Sequence, residues 1–361
     1  MENLHTPHEN ETNQSRVELD AQKKEQKKKK IKKTIIITVS SIIFVLIISL
    51  FIFMWSIYSK IDDSIEVISI APTIDEITQQ PIVIPEQESV KNKALTVLLL
   101  GIDQRSGGGG LNTDVIILAA INPDTKKGAV ISMPRDTRLE YTNDGKKEVH
   151  KANAYYALAY SEAQRNGASK VEATLAAKNV MKNAVGQLYD IPIQYAVSVN
   201  FKGFRDIVDT LGGLEIDVDM RMKYTDSHDG TDIDLYPGLQ TLNGKQTLDF
   251  VRFRQTNDNP NASSDFERNS RQSQVINAIM KKMLSFGGIS QINNVIEEVS
   301  DDVTTDMPSS EIRQLLTTYY NIKIDNITFT SLNGHWKNPY VYPDEQALEE
   351  AKSLLQSIIA E

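Results

Sequence analysis

The longest apolar stretch of the chain lies near its N-terminus. Residues 34–59 carry no charged side chain and are rich in Ile, Leu, Val and Phe. About 20 apolar residues span a bilayer, so this stretch predicts one transmembrane helix. It is longer than the apolar core of a signal peptide, and no small-residue cleavage motif follows it. The pattern therefore favours an uncleaved anchor over a cleaved leader.

Beyond a polar, proline-containing segment, apolar runs of strand and helix length alternate from residue 93 to the end. Short runs separated by turn residues predict strands at 94–100, 115–121, 129–133, 195–199 and 214–218. Spacing near 3.6 and flanking glycines predict helices at 154–163, 171–189, 204–211 and 264–286. Strands mixed with helices, and an early hairpin, indicate an α/β fold: a layered αβα domain with a central mixed sheet, preceded by one transmembrane helix.

The charge pattern assigns the two sides of the membrane. Eight lysines lie between residues 23 and 33, directly before the apolar stretch. The positive-inside rule therefore places the N-terminus in the cytoplasm and the larger part outside. We predict a disordered basic cytoplasmic arm at residues 1–33, the transmembrane helix at 34–59, an acidic extracellular linker at 60–92, and an extracellular catalytic domain at 93–361.

The overall composition limits which kinds of partner and which cellular compartment are compatible with the chain. The net charge of −9 combines a basic arm with an acidic body, which argues against nucleic acid as the main partner. The chain contains no cysteine, so disulfides and cysteine-ligated metals are excluded. An exported protein without disulfides suits the cell membrane of a Gram-positive type envelope.

Charged residues stand at the ends of the first three predicted strands. Asp103 follows the first strand, Asp114 precedes the second, and Arg135 follows the third. If these strands pair as antiparallel hairpins, all three residues and Arg105 lie at one edge of the sheet. Paired carboxylates suit Mg²⁺, which is also bound by phosphate oxygens and water. For each aspartate alone, the alternative is a turn or capping residue.

Two further clusters contain arginine. Arg252 and Arg254 alternate with apolar residues, so in extended chain both guanidinium groups would share one face; the alternative is a solvated surface strand. Arg268 and Gln272, four apart, share a helix face that continues into an apolar stripe. Ser264 and Glu267 predict a capping box at the start of that helix, and a helix N-terminus attracts anions. Arg271 is either a partner in this cluster or a solvated neighbour. Because arginine forks match phosphate oxygens, these residues together predict a site for a pyrophosphate.

The order of these motifs resembles the LytR-CpsA-Psr family of cell-wall glycopolymer ligases. The resemblance covers about residues 93–285 and rests on segments 98–105, 112–114, 132–137, 151–155, 212–213, 251–254 and 265–272. The chain departs from the family pattern in three places. Asn112 stands where the family usually has arginine, Glu267 where glycine is common, and the stretch 255–264 is longer than usual. These departures concern loop geometry and the choice of polymer or acceptor more than the class of reaction.

The resemblance implies a phosphotransferase. It would move a glycopolymer, such as teichoic acid or capsule, from undecaprenyl pyrophosphate to a peptidoglycan sugar hydroxyl, with Mg²⁺ or Mn²⁺ as cofactor. Asp103, Asp114 and Arg135 would be catalytic, and the two aspartates would bind the metal. The predicted pyrophosphate ligands are Arg105, Arg135, Arg252, Arg254, Arg268 and Gln272.

The sequence is also compatible with two other functions. A lipid-pyrophosphate hydrolase would use the same site with water as acceptor, and a lipid-carrier binding protein would not catalyse a reaction. Residues 290–361 have no assigned role, and segment 336–340 is equally consistent with a packed turn and a sugar-binding platform.

Overall fold

The structure, a computed structural model, describes residues 62–75, 80–103, 111–227, 230–257, 263, 265–283, 288–319 and 321–360. The strands are β1 Leu95–Ile102, β2 Thr113–Ile121, β3 Gly128–Met133, β4 Arg138–Asn143, β5 Lys146–Lys151, β6 Tyr195–Asn200, β7 Leu214–Val218, β8 Met222–Asp226, β9 Thr231–Leu235, β10 Gly238–Leu242, β11 Val303–Thr305, β12 Ile327–Ser331, β13 Gly334–Lys337 and β14 Tyr340–Pro343. The helices are α1 (residues 62–68), α2 Ala154–Arg165, α3 Lys170–Tyr189, α4 Phe201–Thr210, α5 Gly244–Arg252, α6 Asp265–Met283, α7 Gly288–Val299, α8 Ser309–Thr318 and α9 Glu345–Ala360.

A six-stranded mixed sheet forms the centre of the fold. Its strand order is β11-β6-β1-β2-β3-β12. The hairpins β1–β2 and β2–β3 are antiparallel, as the sequence predicts, whereas β1 pairs with β6 and β3 with β12 in parallel. In the tight turn between β2 and β3, the Asn122 side chain accepts hydrogen bonds from the backbone of Asp124 and Thr125.

Helices cover both faces of this sheet. On one face, Leu98 and Leu118 belong to an apolar cluster with residues of α2, α3 and α9. On the other face, Ile117 packs with Ile276 of α6, and β6 packs against α7 and α8. Side chains alternate between the two faces of a strand, so a strand buried on both faces is apolar at almost every position. The predicted αβα layering is confirmed by these clusters.

A smaller apolar cluster supports one end of the domain. It joins the antiparallel pair β7–β10 and the hairpin β8–β9 to helices α4, α5 and α6, with Phe250 and Phe253 fully buried. Asn243 begins α5 with a reciprocal capping box to Gln246. This cluster determines where the C-terminus of α5 and the arginines that follow it lie.

The predicted linker at residues 60–92 is wrong at its two ends, whereas Ile74, Ile82 and Val83 between them are exposed. Ile65 and Ile68 of α1 are buried, and Arg313 of α8 forms ion pairs with Asp62 and Glu66. Farther along, the buried carboxylate of Glu311 accepts hydrogen bonds from Ser89 Oγ and from the backbone N–H of Val90 at 2.7 Å. The folded domain therefore begins well before residue 93, because α1 covers apolar surface that would otherwise face water.

The predicted cytoplasmic arm and transmembrane helix, residues 1–59, lie outside the described residues. Among the residues that are described, no helix is both long enough and apolar enough to cross a bilayer.

Candidate functional site

The edge of the central sheet brings Asp103, Asp114 and Arg135 together. Gly101 pairs with Val115 and Ile102 with Thr113, so a bulge leaves Asp114 unpaired beside the end of β1. A Cβ atom at Gly101 would lie 2.9 Å from Val115 Cβ, so glycine permits the close approach of the two strands there. Arg135, two residues beyond β3, donates a hydrogen bond of 2.5 Å from Nη1 to Asp114 Oδ1.

Two neighbouring segments hold Arg135 in place. The backbone N–H of Asn153 donates to Arg135 O at 3.0 Å, and Asn153 O accepts from Thr113 N at 3.3 Å. Arg135 Nε lies 3.4 Å from Asp136 Oδ2, and the other oxygen of this buried carboxylate is 2.7 Å from Lys151 Nζ. The segment 151–155, recognised from sequence only as a motif, thus supports the loop that carries Arg135.

The arginines after β10 reach the site by a different local structure from the one predicted. Arg252 is the last residue of helix α5, Phe253 is buried as its C-cap, and Arg254 follows in a loop. The prediction of an extended strand with both guanidinium groups on one face is therefore wrong. Both arginines nevertheless line the same cavity as Asp114, and Arg252 lies over the ring of Phe201, 5.0 Å from its centroid.

Helix α6 contributes Arg268 and Gln272 to the same cavity. Gln272 Nε2 is 3.5 Å from the backbone oxygen of Asp114, which ties the helix to the sheet edge. Glu267 is exposed. Its predicted capping partner, Ser264, lies outside the described residues.

Arg271 has a role that the sequence reasoning missed. It is buried, and it donates to both carboxylate oxygens of Asp219, at 2.9 and 2.7 Å. Its Nη1 also donates to Ser263 Oγ at 2.8 Å, and Ser263 N donates to the backbone oxygen of Arg254 at 2.6 Å. Arg271 therefore positions α6 and the loop that carries Arg254. A signal was present, since Arg271 lies on the face of the predicted apolar stripe and Asp219 directly follows a predicted strand.

One cavity of about 1060 Å³ joins the charged residues to a long apolar interior. Its polar end is formed by Asp103, Asn112, Asp114, Arg135, Arg252, Arg254, Arg268 and Gln272. Strands β1, β2, β6, β8, β9 and β11 and helices α1, α4, α5, α6 and α7 line the rest, mostly with aliphatic and aromatic side chains; the polar exceptions are Asn200, Asp226, Thr231 and Gln255. The cavity can therefore accept a molecule with an anionic head and a long hydrocarbon chain.

At the polar end of the cavity, arginines outnumber carboxylates, and Arg254 and Arg268 are partly buried. Burial, together with the neighbouring guanidinium groups of Arg254 and Arg135, lowers the pKa of Arg268 to about 10. Burial and the nearby charge of Arg135 also lower the pKa of Arg254. Desolvation and like charges both disfavour the ionised form, so a bound anion would relieve the repulsion.

The predicted site residues thus converge, with the exception of Arg105, which lies outside the described residues. Asp103 and Asp114 fit Mg²⁺, because both carboxylates line the polar end of the cavity and this ion commonly takes one or two carboxylates beside phosphate oxygens and water. No group of three or more His, Asp or Glu side chains suited to a metal occurs in the described part of the chain.

Two transferases of known sequence and one solved structure are similar to this chain. The chain is 28% identical over 279 residues to the polyisoprenyl-teichoic acid–peptidoglycan teichoic acid transferase TagV of Bacillus subtilis, covering 75% of this chain and 66% of that protein. It is 28% identical to the corresponding transferase TagU of Bacillus cereus, covering 88% of this chain and 95% of that one. The crystal structure of Bacillus subtilis TagV superimposes with a TM-score of 0.58 at 27% identity, covering 74% of this chain and 98% of that chain.

A family model matches most of the chain rather than only the short motifs. Residues 57–357 match the model described as the LytR_cpsA_psr family. This range includes the described α1, the sheet edge and helix α6, and reaches into α9. The chain therefore belongs to the LytR-CpsA-Psr family.

Proposed function

We propose that this protein is a glycopolymer–peptidoglycan phosphotransferase that moves teichoic acid or a similar polymer from polyprenyl pyrophosphate to a sugar hydroxyl of peptidoglycan. The observation that carries the proposal is the continuity of the cavity. An arginine-rich polar end and an apolar interior of about 1060 Å³ form one space. A pyrophosphate attached to a long isoprenoid matches both parts at once. The similarity to the TagU and TagV transferases supports the same reaction.

The arginines bind the pyrophosphate and stabilise the charge that develops on the leaving group. Arg135, Arg254 and Arg268 influence one another electrostatically, as the lowered pKa values of Arg254 and Arg268 indicate. Bidentate arginine forks suit the oxygens of two adjacent phosphates. As the acceptor hydroxyl attacks the phosphorus that carries the glycan, negative charge builds on the polyprenyl phosphate, and fixed guanidinium groups stabilise it without reorganisation.

The carboxylates have two roles in this proposal. Asp114 is held by Arg135, which keeps its position constant. Asp103 or Asp114 accepts the proton of the attacking hydroxyl. Mg²⁺ held by Asp103 and Asp114 would neutralise part of the pyrophosphate charge.

The proposed location follows from the substrates. The family's named relatives act on cell-wall polymers. The uncharged stretch 34–59 and its flanking lysines support a single-pass anchor with a cytoplasmic N-terminus and an extracellular catalytic domain. This arrangement places the cavity on the side where peptidoglycan lies.

The test is an incubation of the full-length protein with lipid-linked glycan and peptidoglycan, with and without Mg²⁺, assayed for a new phosphodiester at muramic acid. Asp114→Ala and Arg135→Ala should each lower the transfer rate by about 100-fold or more, since each removes fixed charge from the reacting phosphates. Thermal unfolding checks that both variants fold. Undiminished transfer by both variants contradicts the assignment.

Two controls separate the alternatives. Release of glycan phosphate and polyprenyl phosphate from the lipid-linked glycan without acceptor, at the rate seen with acceptor, would indicate a hydrolase. Tight binding of the lipid without turnover in the presence of Mg²⁺ would indicate a carrier-binding protein.

A further inference from the structure

An exposed aromatic hairpin lies beside the proposed site. The β13–β14 hairpin docks on the loop after β3, where Val341 N donates to Asp136 O at 2.9 Å and Val341 bridges to Thr137. Val341 is buried, whereas Trp336, its partner across the hairpin, is 50% exposed. Half of the Trp336 surface is therefore accessible to a ligand, and the amphipathic indole can stack on an apolar face.

A continuous series of contacts joins this tryptophan to the catalytic residues. Lys151 Nζ lies 5.3 Å from the centroid of the Trp336 ring and 2.7 Å from Asp136 Oδ1. The other oxygen of Asp136 is 3.4 Å from Arg135 Nε, and Arg135 in turn binds Asp114. The indole is therefore connected to the proposed phosphate-binding end of the cavity through Lys151 and Asp136.

The surroundings of the hairpin are basic in an otherwise acidic body. Segment 332–343 contains no acidic residue. Lys337 is exposed and lies 5.9 Å from the centroid of the Tyr342 ring. Arg138, which is paired with Glu140, is partly buried and lies 5.7 Å from the same centroid, and the side chain of Lys151 is one-third exposed. This surface suits a ligand with flat apolar faces and anionic substituents.

The in-line geometry of phosphoryl transfer indicates which of the two substrates this surface faces. In a phosphoryl transfer, the attacking and leaving oxygens are roughly in line across the phosphorus. The apolar cavity that would hold the leaving lipid lies against β1, β2 and β6. The hairpin instead contacts the loop after β3, toward the other edge of the sheet. An acceptor that approaches opposite the lipid therefore comes from the side of Trp336.

We infer that Trp336, with Lys151 and Lys337, binds the acceptor glycan strand of peptidoglycan, an acetamido-sugar polymer that carries carboxylates. The C–H face of a pyranose ring stacks on the indole. The carboxylates pair with the exposed Lys337, whereas Lys151, already paired with Asp136, positions the indole. The inference rests on the proposed function, since it assigns the acceptor of that same reaction.

The experiment uses the full-length protein in detergent micelles, with lipid-linked glycan as donor and soluble, uncross-linked peptidoglycan strands as acceptor. Trp336→Ala should raise the KM for acceptor by about tenfold, which corresponds to about 1.4 kcal/mol. The KM for donor should not change, and Trp336→Tyr should recover part of the loss. Tyr236→Ala is the matched control, because Tyr236 is 65% exposed and Arg221 lies 3.9 Å from its ring centroid; its kinetics should equal those of the native protein.

Other outcomes are equally informative. An unchanged acceptor KM in Trp336→Ala overturns the inference, and a raised donor KM instead assigns the platform to the donor glycan and also overturns it. If Trp336→Ala does not fold, the charge reversal Lys337→Glu at an exposed position replaces it, with the same expected rise. Co-sedimentation of the full chain with purified sacculi, without donor, should fall in the same variants. Because that readout needs no turnover, it separates a failure of this site from a failure of the proposed reaction.

Discussion

Arg268 should destabilise the free protein while it supports the reaction. Burial and the charges of Arg254 and Arg135 lower its pKa to about 10. A fall of this size from the ordinary arginine value corresponds to about 3 kcal/mol against the charged form. The guanidinium is partly exposed, so screening by water reduces the cost to about 1–2 kcal/mol. At pH 7 arginine is charged in both the folded and the unfolded chain, so the folded state bears this cost in full.

The perturbation is Arg268→Met, which removes the charge and keeps an apolar stem against the helix. The free energy of unfolding should rise by about 1–2 kcal/mol, which raises the melting temperature by about 2–3 °C. Transfer to peptidoglycan should fall by about 100-fold, because one fixed cation at the leaving phosphate is lost. Inorganic pyrophosphate should raise the melting temperature of the native protein more than that of the variant.

The assay is thermal unfolding of the full-length protein at pH 7, with and without pyrophosphate, beside the transfer assay. Arg205→Met is the control, since Arg205 is exposed on α4 and lies outside the cavity; it should change neither quantity. An Arg268→Met variant that is less stable than the native protein, or that transfers at the native rate, refutes the reasoning.

Two further predictions concern buried charges outside the cavity. Arg271→Met should lower the free energy of unfolding by about 2 kcal/mol, less than a fully buried pair would cost, because the Asp219 side chain is 46% exposed and can rehydrate; denaturant unfolding with Asp219→Asn and the double variant should show that the two costs do not add. Lys178 is fully buried, and burial lowers its pKa to about 7, so the unfolded chain binds more protons between about pH 7 and 10 and stability rises across that window. Melting curves of Lys178→Met should lack this rise; an identical pH profile in the variant would contradict the assignment to Lys178.

Much of the secondary structure and strand pairing of the domain can be predicted from the local sequence pattern. The strands at the centre of the sheet are apolar on both faces and are separated by strong turn residues, so their positions and antiparallel pairing can be read from the chain. That pairing is sufficient to bring Asp103, Asp114 and Arg135 to one edge. Charge and length similarly predict the anchor, although residues 34–59 lie outside the described structure.

The local sequence pattern gives the wrong structure where contacts between residues far apart in the chain determine it. Alternating arginines at 252 and 254 are compatible with a strand. Burial of Phe250 and Phe253 in the smaller apolar cluster instead favours a helix that ends at Arg252. The acidic, proline-containing segment before residue 93 has the composition of a linker. It folds because Arg313 and Glu311, more than 200 residues away, bind to it.

The sequence alone therefore determined the layered α/β class, the candidate anchor and most residues of the candidate phosphate site, since these depend on periodicity, charge and short motifs. The tertiary structure decided which charges are buried and which aromatic groups dock on the loop that carries Arg135. Arg271 and Lys178 look like ordinary helix residues, and Trp336 like part of a turn, until the fold supplies their partners. The physical reason is that desolvation and long-range contact depend on the whole packed chain, whereas strand and helix periodicity depend only on neighbours along it.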